Sequence, residues 1–270
     1  MNSWERSRRP SKRLGQNFLK DSTISTRIVS SADLGRNDIV LEPGAGHGVI
    51  TRLLEAKAGQ VIAVEKDRAL AEELRSRFST SRTVKVVEGD VLKTELPSFN
   101  RVVGTPPYYI SSRLILFLQR SGYSKAHLVF QKEFSDRLVA KPGTPDYGRL
   151  SVTAQRTMEI HSLLEISRDA FKPRPKVDSI LISLEPRPVR SEVDARVFDE
   201  LVRAIFTQRR RLVRSALLHF LRLKLGRDKA RTVFSSIDVP DLRVFELSVE
   251  DLEELAMQLQ GRLIASSQAA

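Results

Sequence analysis

Three short segments carry residues that could bind a ligand, and each follows a short apolar run. They are Gly44-Ala45-Gly46-His47-Gly48, Glu65 and Asp90. Glycines after a strand let the backbone approach a ligand closely, and the start of the next helix adds a partial positive charge. Glu65 is placed to accept hydrogen bonds from both hydroxyls of a ribose. Asp90 could accept one from an amino group such as that of adenine.

Together these segments predict a pocket for an adenosine-containing cofactor. The glycine spacing is G-x-G-x-G rather than the G-x-G-x-x-G of dinucleotide enzymes, and no G-x-x-x-x-G-K-[ST] phosphate loop occurs. Taken singly, each feature has a purely structural alternative. The glycines could form only a tight turn, and each acid could be a solvated carboxylate at the end of a strand.

A fourth segment, Gly104-Thr105-Pro106-Pro107-Tyr108-Tyr109, combines two prolines with two tyrosines. Prolines have a fixed φ and no N–H, so the chain leaves any strand here in a stiff, extended form. Two adjacent rings on a rigid turn can offer a flat face to another flat group. The structural alternative is a stiff strand-to-helix loop whose tyrosines pack on the core.

The elements that must position these residues alternate between strand and helix. Helices are predicted at residues 22–32, 49–54, 68–78 and 114–118, and strands at 39–41, 61–64, 84–87, 102–103 and 128–130. Buried, non-alternating strands joined by helices predict an α/β fold with a parallel sheet covered on both faces. The carboxyl ends of such strands meet at one edge, where ligands bind.

The second half of the chain gives a weaker pattern. Leu163 to Ile166 and Ile180 to Leu184 predict a closing antiparallel pair of strands. From about residue 194 only helical patterns follow, so we predict two domains, an α/β domain at 1–189 with a basic N-terminal arm and a small α-helical domain at 190–270.

The composition favours a polyanionic partner. The 270 residues include 45 Lys and Arg against 33 Asp and Glu, a formal net charge of +12. No apolar run approaches the roughly 18–20 residues that a membrane span needs, and the arm at residues 1–13 has no apolar segment after it, unlike a secretory signal. Cysteine is absent, which excludes disulfides and Cys-ligated metals, and the four histidines lack ligand spacing, so no metal is expected. A cytoplasmic protein is expected.

The ordered set of motifs resembles the ribosomal RNA adenine dimethyltransferase family, S-adenosylmethionine enzymes that methylate the exocyclic amino nitrogen of adenines. The resemblance covers nearly the whole chain. Its matching segments are Gly15–Leu19, Glu42–Gly48, Glu65 with Asp67, Gly89–Asp90, Pro107–Ser112, Gln131–Glu133, Tyr147–Val152, Phe171–Ser179 and Phe206–Arg211. It implies a Rossmann-like methyltransferase sheet with a small C-terminal α-helical domain.

The resemblance also implies a role for each site residue. The cofactor-binding set would be Gln16, Asn17, Leu19, Gly44, Gly46, Glu65, Asp90 and Thr105. In the catalytic set, Tyr108 would stack on one face of a flipped adenine and Phe171 on the other, while a carbonyl near Pro106 accepts an amino hydrogen. Thr105 stands where the family has asparagine, and its hydroxyl is a shorter acceptor than an amide carbonyl.

A basic run in the predicted helical domain indicates a second binding surface. Arg209, Arg210, Arg211 and Arg214 are predicted to contact RNA phosphates without reading sequence. The structural alternative is a solvated basic face.

The function predicted is dimethylation of adenines in small-subunit ribosomal RNA, by a monomer acting on the immature small ribosomal subunit. Two alternatives remain open: a macrolide-resistance type methylase of large-subunit RNA, and a non-catalytic RNA-binding assembly or transcription factor that Thr105 makes conceivable.

Overall fold

The computed structural model describes residues 16–189 and 191–268, and residues 263–268 by their backbone alone. The basic arm predicted at residues 1–13 lies outside these ranges. The chain divides into two compact units. Of the described residues, the sheet unit comprises 16–135 and Met158–Pro186, and the helical unit comprises Asp136–Thr157, 187–189 and 191–268.

The strands lie in the sheet unit. They are β1 (Phe18–Leu19), β2 (Ile39–Pro43), β3 (Gln60–Glu65), β4 (Val84–Glu88), β5 (Arg101–Gly104), β6 (Lys125–Gln131), β7 (Met158–Ile166), β8 (Phe171–Lys172) and β9 (Ser179–Pro186). Seven of them form one sheet in the order β4-β3-β2-β5-β6-β9-β7, and β1 pairs with β8 in a second sheet of two strands.

The main sheet is parallel from β4 to β6, and β9 and β7 complete it in antiparallel orientation. The five predicted parallel strands and the predicted antiparallel pair are confirmed, although β7 begins five residues before Leu163. Because all five parallel strands run the same way, the segments that follow β2, β3, β4 and β5 emerge at one edge of the sheet. Those segments, together with Glu65 at the end of β3, contain the predicted glycine-loop, acid and proline–tyrosine motifs.

The helices are α1 (Ser22–Ser31), α2 (Val49–Lys57), α3 (Arg68–Arg77), α4 (Ser111–Leu118), α5 (Lys132–Val139), α6 (Arg149–Thr157), α7 (Ala195–Ile205), α8 (Val213–Leu225), α9 (Arg227–Phe234) and α10 (Val249–Gln268). Asp21 and Asp67 are the N-cap residues of α1 and α3, and their carboxylates accept hydrogen bonds from first-turn N–H groups. Fully buried Ile28, Leu54 and Val103 pack in one core cluster of the sheet unit.

The helical unit has its own core, formed around Phe198, Leu217 and Leu252. Residues 136–157 cluster with this unit, whereas the sequence places them in the 1–189 domain. The reason is that α6 buries Val152 in the same core and carries Arg156, whose guanidinium lies 3.9 Å from the centre of the Phe198 ring. Within the described part of the chain, no helix combines the length and apolar content needed to cross a membrane.

Candidate active site

The glycine loop between β2 and α2 is shaped by backbone geometry that favours glycine. Gly44, Gly46 and Gly48 have φ values of 76°, 55° and 78°. The N–H of Gly44 donates to the carbonyl of Val64 at 2.8 Å, which fixes the loop to the end of β3. A Cβ atom at Gly44 would lie 2.9 Å from Pro107 Cδ. The glycine loop and the proline–tyrosine motif are therefore in direct contact.

Glu65 lies beside this loop, as its predicted role requires. One carboxylate oxygen accepts a hydrogen bond from Gly46 N at 2.8 Å, and the other accepts from Asp67 N at 2.8 Å. Burial raises the pKa of Glu65 above its ordinary value, although these two amide donors act in the opposite direction. Each carboxylate oxygen can accept a further hydrogen bond, so the group can hold two hydroxyls from a fixed position.

Asp90 lies after β4 and is paired with a residue that the sequence did not single out. Lys66 Nζ is 3.0 Å from Asp90 Oδ2, and Leu92 N donates to Oδ1 at 3.1 Å. Burial alone would raise the pKa of Asp90, but the hydrogen bonds from Lys66 and Leu92 outweigh it and hold the pKa below its ordinary value. Asp90 is therefore a charged acceptor at the adenine end of the predicted pocket.

The segment that precedes α1 covers the glycine loop. A Cβ atom at Gly46 would lie 3.1 Å from the Phe18 ring, and the centre of that ring lies 4.5 Å from the His47 ring centre. Gln16 and Asn17 come directly before Phe18, and Leu19 follows it in β1. The structure thus brings the segment that holds the predicted cofactor-binding residues Gln16, Asn17 and Leu19 against the glycine loop, with Phe18 as the contacting residue.

The two tyrosines of the proline–tyrosine motif have different environments. Tyr108 is half-buried, and its hydroxyl is 2.8 Å from Ser179 Oγ, while its carbonyl accepts from Ser111 Oγ at 2.8 Å. Burial raises the pKa of Tyr108. Tyr109 is 46% exposed. The first ring is therefore held in a defined orientation at the site, and the second faces solvent.

Thr105 and Phe171, which are both predicted to contact the target adenine, differ in how deeply they are buried. Thr105 is half-buried between β5 and the buried Pro106, and its hydroxyl has no hydrogen-bond partner within residues 16–189 and 191–268. Phe171 is only 2% exposed, because β8 pairs it with Leu19 and it packs in the core of the sheet unit. Its stacking on a target base stays a prediction.

Glu42 is a buried acid beneath the site that received no role from the sequence. Thr51 Oγ1 donates to its Oε2 at 2.6 Å. Burial, aided by the charge of nearby Glu65, raises the pKa of Glu42 to about 8. An acidic residue inside an otherwise apolar strand was the signal that could have identified it.

The helical unit holds the four predicted RNA-binding arginines, and they fall into two pairs. Arg209 donates to the carbonyl of Pro145 and lies over the Phe245 ring, and Arg214 forms an ion pair with Asp241. The side chains of Arg210 and Arg211 are exposed and have no partner within the described residues. Two of the four are therefore available to a polyanion without breaking a contact.

The family model for ribosomal RNA adenine dimethylase matches residues 8–242 of this chain. A Thermococcus onnurineus protein described as probable ribosomal RNA small subunit methyltransferase A is 43% identical over 251 residues, which are 92% of this chain and 91% of that protein. A Methanosarcina barkeri protein of the same description is 38% identical over 244 residues, or 89% of this chain and 85% of the relative.

Two solved structures are also similar. A dimethyladenosine transferase from Plasmodium falciparum superposes with a TM-score of 0.82 at 27% identity, covering 91% of this chain and 98% of that one. The 23S rRNA methyltransferase ErmE gives a TM-score of 0.67 at 30% identity, covering 90% and 100%. With its glycine loop, strand-end acids and proline–tyrosine motif assembled at one sheet edge, this chain belongs to the ribosomal RNA adenine dimethylase family.

Proposed function

We propose that this protein transfers methyl groups from S-adenosylmethionine to the exocyclic amino nitrogen of adenines in small-subunit ribosomal RNA, dimethylating two adjacent adenines. The observation that carries the proposal is the contact between the glycine loop and the proline–tyrosine motif, where a Cβ at Gly44 would lie 2.9 Å from Pro107 Cδ. A cofactor held by the loop and a base held by the motif would therefore meet at one place.

The residues present fit S-adenosylmethionine. Gly44 and Gly46 form a tight turn whose backbone would face its amino-acid end, and Glu65 keeps acceptor capacity for the ribose hydroxyls. Asp90 is a charged acceptor for the adenine amino group, and Gln16, Asn17 and Leu19 would close over the group. When bound, S-adenosylmethionine supplies an electrophilic methyl group on its sulfonium.

The proline–tyrosine motif would orient the target adenine. Tyr108, fixed through its hydroxyl by Ser179, supplies a stacking face, and Phe171 is assigned the other face. Thr105 Oγ1 and the carbonyl of Pro106 would accept the amino hydrogens as the nitrogen gains positive character. Orientation and acceptor placement, rather than proton transfer by a strong base, would supply most of the rate.

The helical unit would add affinity for ribosomal RNA, through Arg210 and Arg211 above all. In this proposal the region 190–270 acts as an RNA-contacting domain, and the protein works as a monomer on immature small ribosomal subunits in the cytoplasm. Phosphate contacts of this kind orient a substrate without selecting its sequence.

Transfer of label from S-adenosylmethionine to immature small ribosomal subunits, followed by mapping of the modified residues, tests the proposal. We expect dimethyladenosine at two adjacent positions of the small-subunit RNA. Label in large-subunit RNA would instead indicate the activity named for ErmE, and binding of the particle without any transfer would indicate a non-catalytic assembly factor. Either result would contradict the proposal.

Thr105 gives the proposal a second test. Replacing Thr105 with Asn restores the longer acceptor found in the family, so we expect equal or faster transfer and a larger share of dimethylated over monomethylated adenine. Mass spectrometry of nucleosides measures this ratio. If this variant lost transfer, the site of this protein would require threonine at position 105, and asparagine could not serve as the acceptor here.

A further inference from the structure

An exposed face extends from the proline–tyrosine motif along α4. It consists of Tyr109, Arg113, Leu116 and Arg120, which we call the α4 face. Their spacings of four, three and four residues place side chains on one side of a helix. Tyr109 lies in the turn before α4, and Arg120 lies just after its last residue.

The α4 face combines apolar surface with uncompensated positive charge. Tyr109 is 46% exposed and Leu116 is 50% exposed, both high for large hydrophobic side chains. Arg113 and Arg120 are exposed, and within the described part of the chain neither has an ion pair or a side-chain hydrogen bond. Exposed aromatic and aliphatic groups alternating with free guanidinium groups suit a single-stranded nucleic acid, which presents both bases and phosphates.

Asp90 is an acid whose pKa is affected by Arg113 of this face, but it is already paired with another cation. Asp90 is bonded to Lys66, and both residues lie close enough to Arg113 for its charge to affect their pKa values. Tyr109 also lies close enough to Lys66 to affect the pKa of the lysine. Two cations, Lys66 and Arg113, therefore act on the carboxylate of Asp90, so this carboxylate does not neutralise Arg113 alone.

We propose that the α4 face binds the RNA strand that flanks the target adenine. Tyr109 stacks on a neighbouring base, Arg113 and Arg120 contact phosphates, and Leu116 packs against the sugar or base between them. Adjacent Tyr108 and Tyr109 would then serve different nucleotides, the first the base that receives the methyl group and the second a base that does not. The inference rests on the proposed function, because it assumes that an RNA base enters the site beside Tyr108.

The geometry favours RNA over an acidic protein surface, which would also be attracted to these positive charges. Arg113 and Arg120 are seven residues apart, roughly 10 Å along a helix axis, so they would contact different phosphates. An exposed ring placed beside the predicted base site adds stacking on a base, which is independent of sequence in single-strand binding. An acidic protein surface could form ion pairs with Arg113 and Arg120, but it would not account for the exposed ring of Tyr109.

The test uses the full chain with Tyr109→Ala and the double variant Arg113→Glu/Arg120→Glu. Arg82→Glu is the matched charge-reversal control, because Arg82 is exposed, lacks a described partner and precedes β4 at the opposite edge of the sheet. The measurements are the KM for immature small subunits, the binding of protein-free small-subunit RNA at several salt concentrations, and calorimetric binding of S-adenosylmethionine.

We expect the double variant to raise the KM for immature small subunits at least about tenfold. It should also reduce the salt slope, the steepness with which the logarithm of the RNA-binding constant falls with the logarithm of salt concentration, by about 1.4 to 2. Tyr109→Ala should raise KM about 5- to 100-fold with little change in salt slope, since it removes stacking and no charge. Cofactor affinity should stay within about twofold of wild type in all variants, and Arg82→Glu should behave as wild type.

Each contrary result has a distinct meaning. An active wild type whose double variant matches Arg82→Glu would overturn the α4 face and leave the methyltransferase proposal intact. Weaker binding to immature subunits with unchanged binding to protein-free RNA would also overturn it, by assigning the face to a ribosomal protein. A wild type that binds no S-adenosylmethionine would instead remove the proposed function itself.

Discussion

In the sheet unit, the acids of the candidate site are shielded from solvent and hydrogen-bonded, whereas the helical unit leaves Arg210 and Arg211 exposed and unpaired within the described residues. Glu65 accepts two backbone N–H groups, and Asp90 is bonded to Lys66 and Leu92. These acids and these arginines thus lie in opposite environments.

The difference reflects what each charge has to do. A carboxylate that receives a ribose or an adenine must keep its position, and hydrogen bonds to a charged group, worth about 1.5–3 kcal/mol each, provide that. A guanidinium that meets a phosphate backbone needs little preset geometry, because the attraction is long-ranged and independent of sequence. Changes at the bonded acids should therefore alter specific steps, and changes at exposed, unpaired arginines should alter RNA affinity and its salt dependence.

The largest effect is expected for Tyr108→Ala. Losing the oriented ring should reduce methyl transfer by at least about 100-fold, while S-adenosylmethionine binding persists. Tyr108→Phe is the matched control, because it also breaks the hydrogen bond to Ser179 but keeps the ring, and it should retain most activity. Single-turnover transfer and calorimetry measure the two properties. Transfer by the alanine variant at the wild-type rate would remove the stacking role.

The next effect is expected for Glu65→Gln. The amide would face one backbone N–H with its own NH2 group, so we expect affinity for S-adenosylhomocysteine to fall about 10- to 100-fold. Glu88→Gln is the control, since Glu88 is the register partner of Glu65 on β4 but is exposed and paired with Arg75. Titration calorimetry gives both affinities. Equal losses in the two variants would show that the buried position of Glu65 has no special role.

A smaller effect is expected in the helical unit. Arg210→Glu/Arg211→Glu should weaken binding of small-subunit RNA about tenfold and lower the salt slope, with thermal stability unchanged. Arg209→Ala should instead lower the free energy of unfolding by about 1–2 kcal/mol, because it loses the hydrogen bond to the Pro145 carbonyl. Its RNA affinity should change at most a few-fold. Filter binding and thermal unfolding separate the two classes. If Arg209→Ala proved the most harmful to RNA binding, the division of the run into two pairs would be wrong.

The last effect is expected at Glu42 and concerns the pH dependence of stability, not methyl transfer or binding. Its pKa is about 8 when folded and 4.5 as an ordinary glutamate, so the folded state keeps a proton that the unfolded state releases. Stability should therefore be full below pH 4.5 and fall as pH rises toward 8, by up to about 1.4 kcal/mol per pH unit. Glu42→Gln should flatten this slope, and exposed Glu72→Gln should not. Denaturant unfolding between pH 5 and 8 tests this, and parallel curves for wild type and Glu42→Gln would contradict it.

Much of the fold followed from local patterns. The apolar runs before Gly44, Glu65 and Asp90 predicted three strands of one parallel sheet, because buried strands need no polar alternation. The boundary between the units did not follow in the same way. Residues 136–157 come between two sheet elements in the chain, and only the packing of Val152 and Arg156 assigns them to the helical core.

The sequence by itself determined the chemistry available: a glycine loop, two strand-end acids, a proline-stiffened pair of tyrosines and a net charge of +12. Residue type and order are enough for that, since they fix strand ends and functional groups. Only the tertiary structure decided which side chains meet and which are buried. It paired Lys66 with Asp90, bonded Tyr108 to Ser179, exposed Tyr109 and buried Phe171. These contacts join residues up to 71 positions apart, and packing rather than local propensity determines which side chains meet.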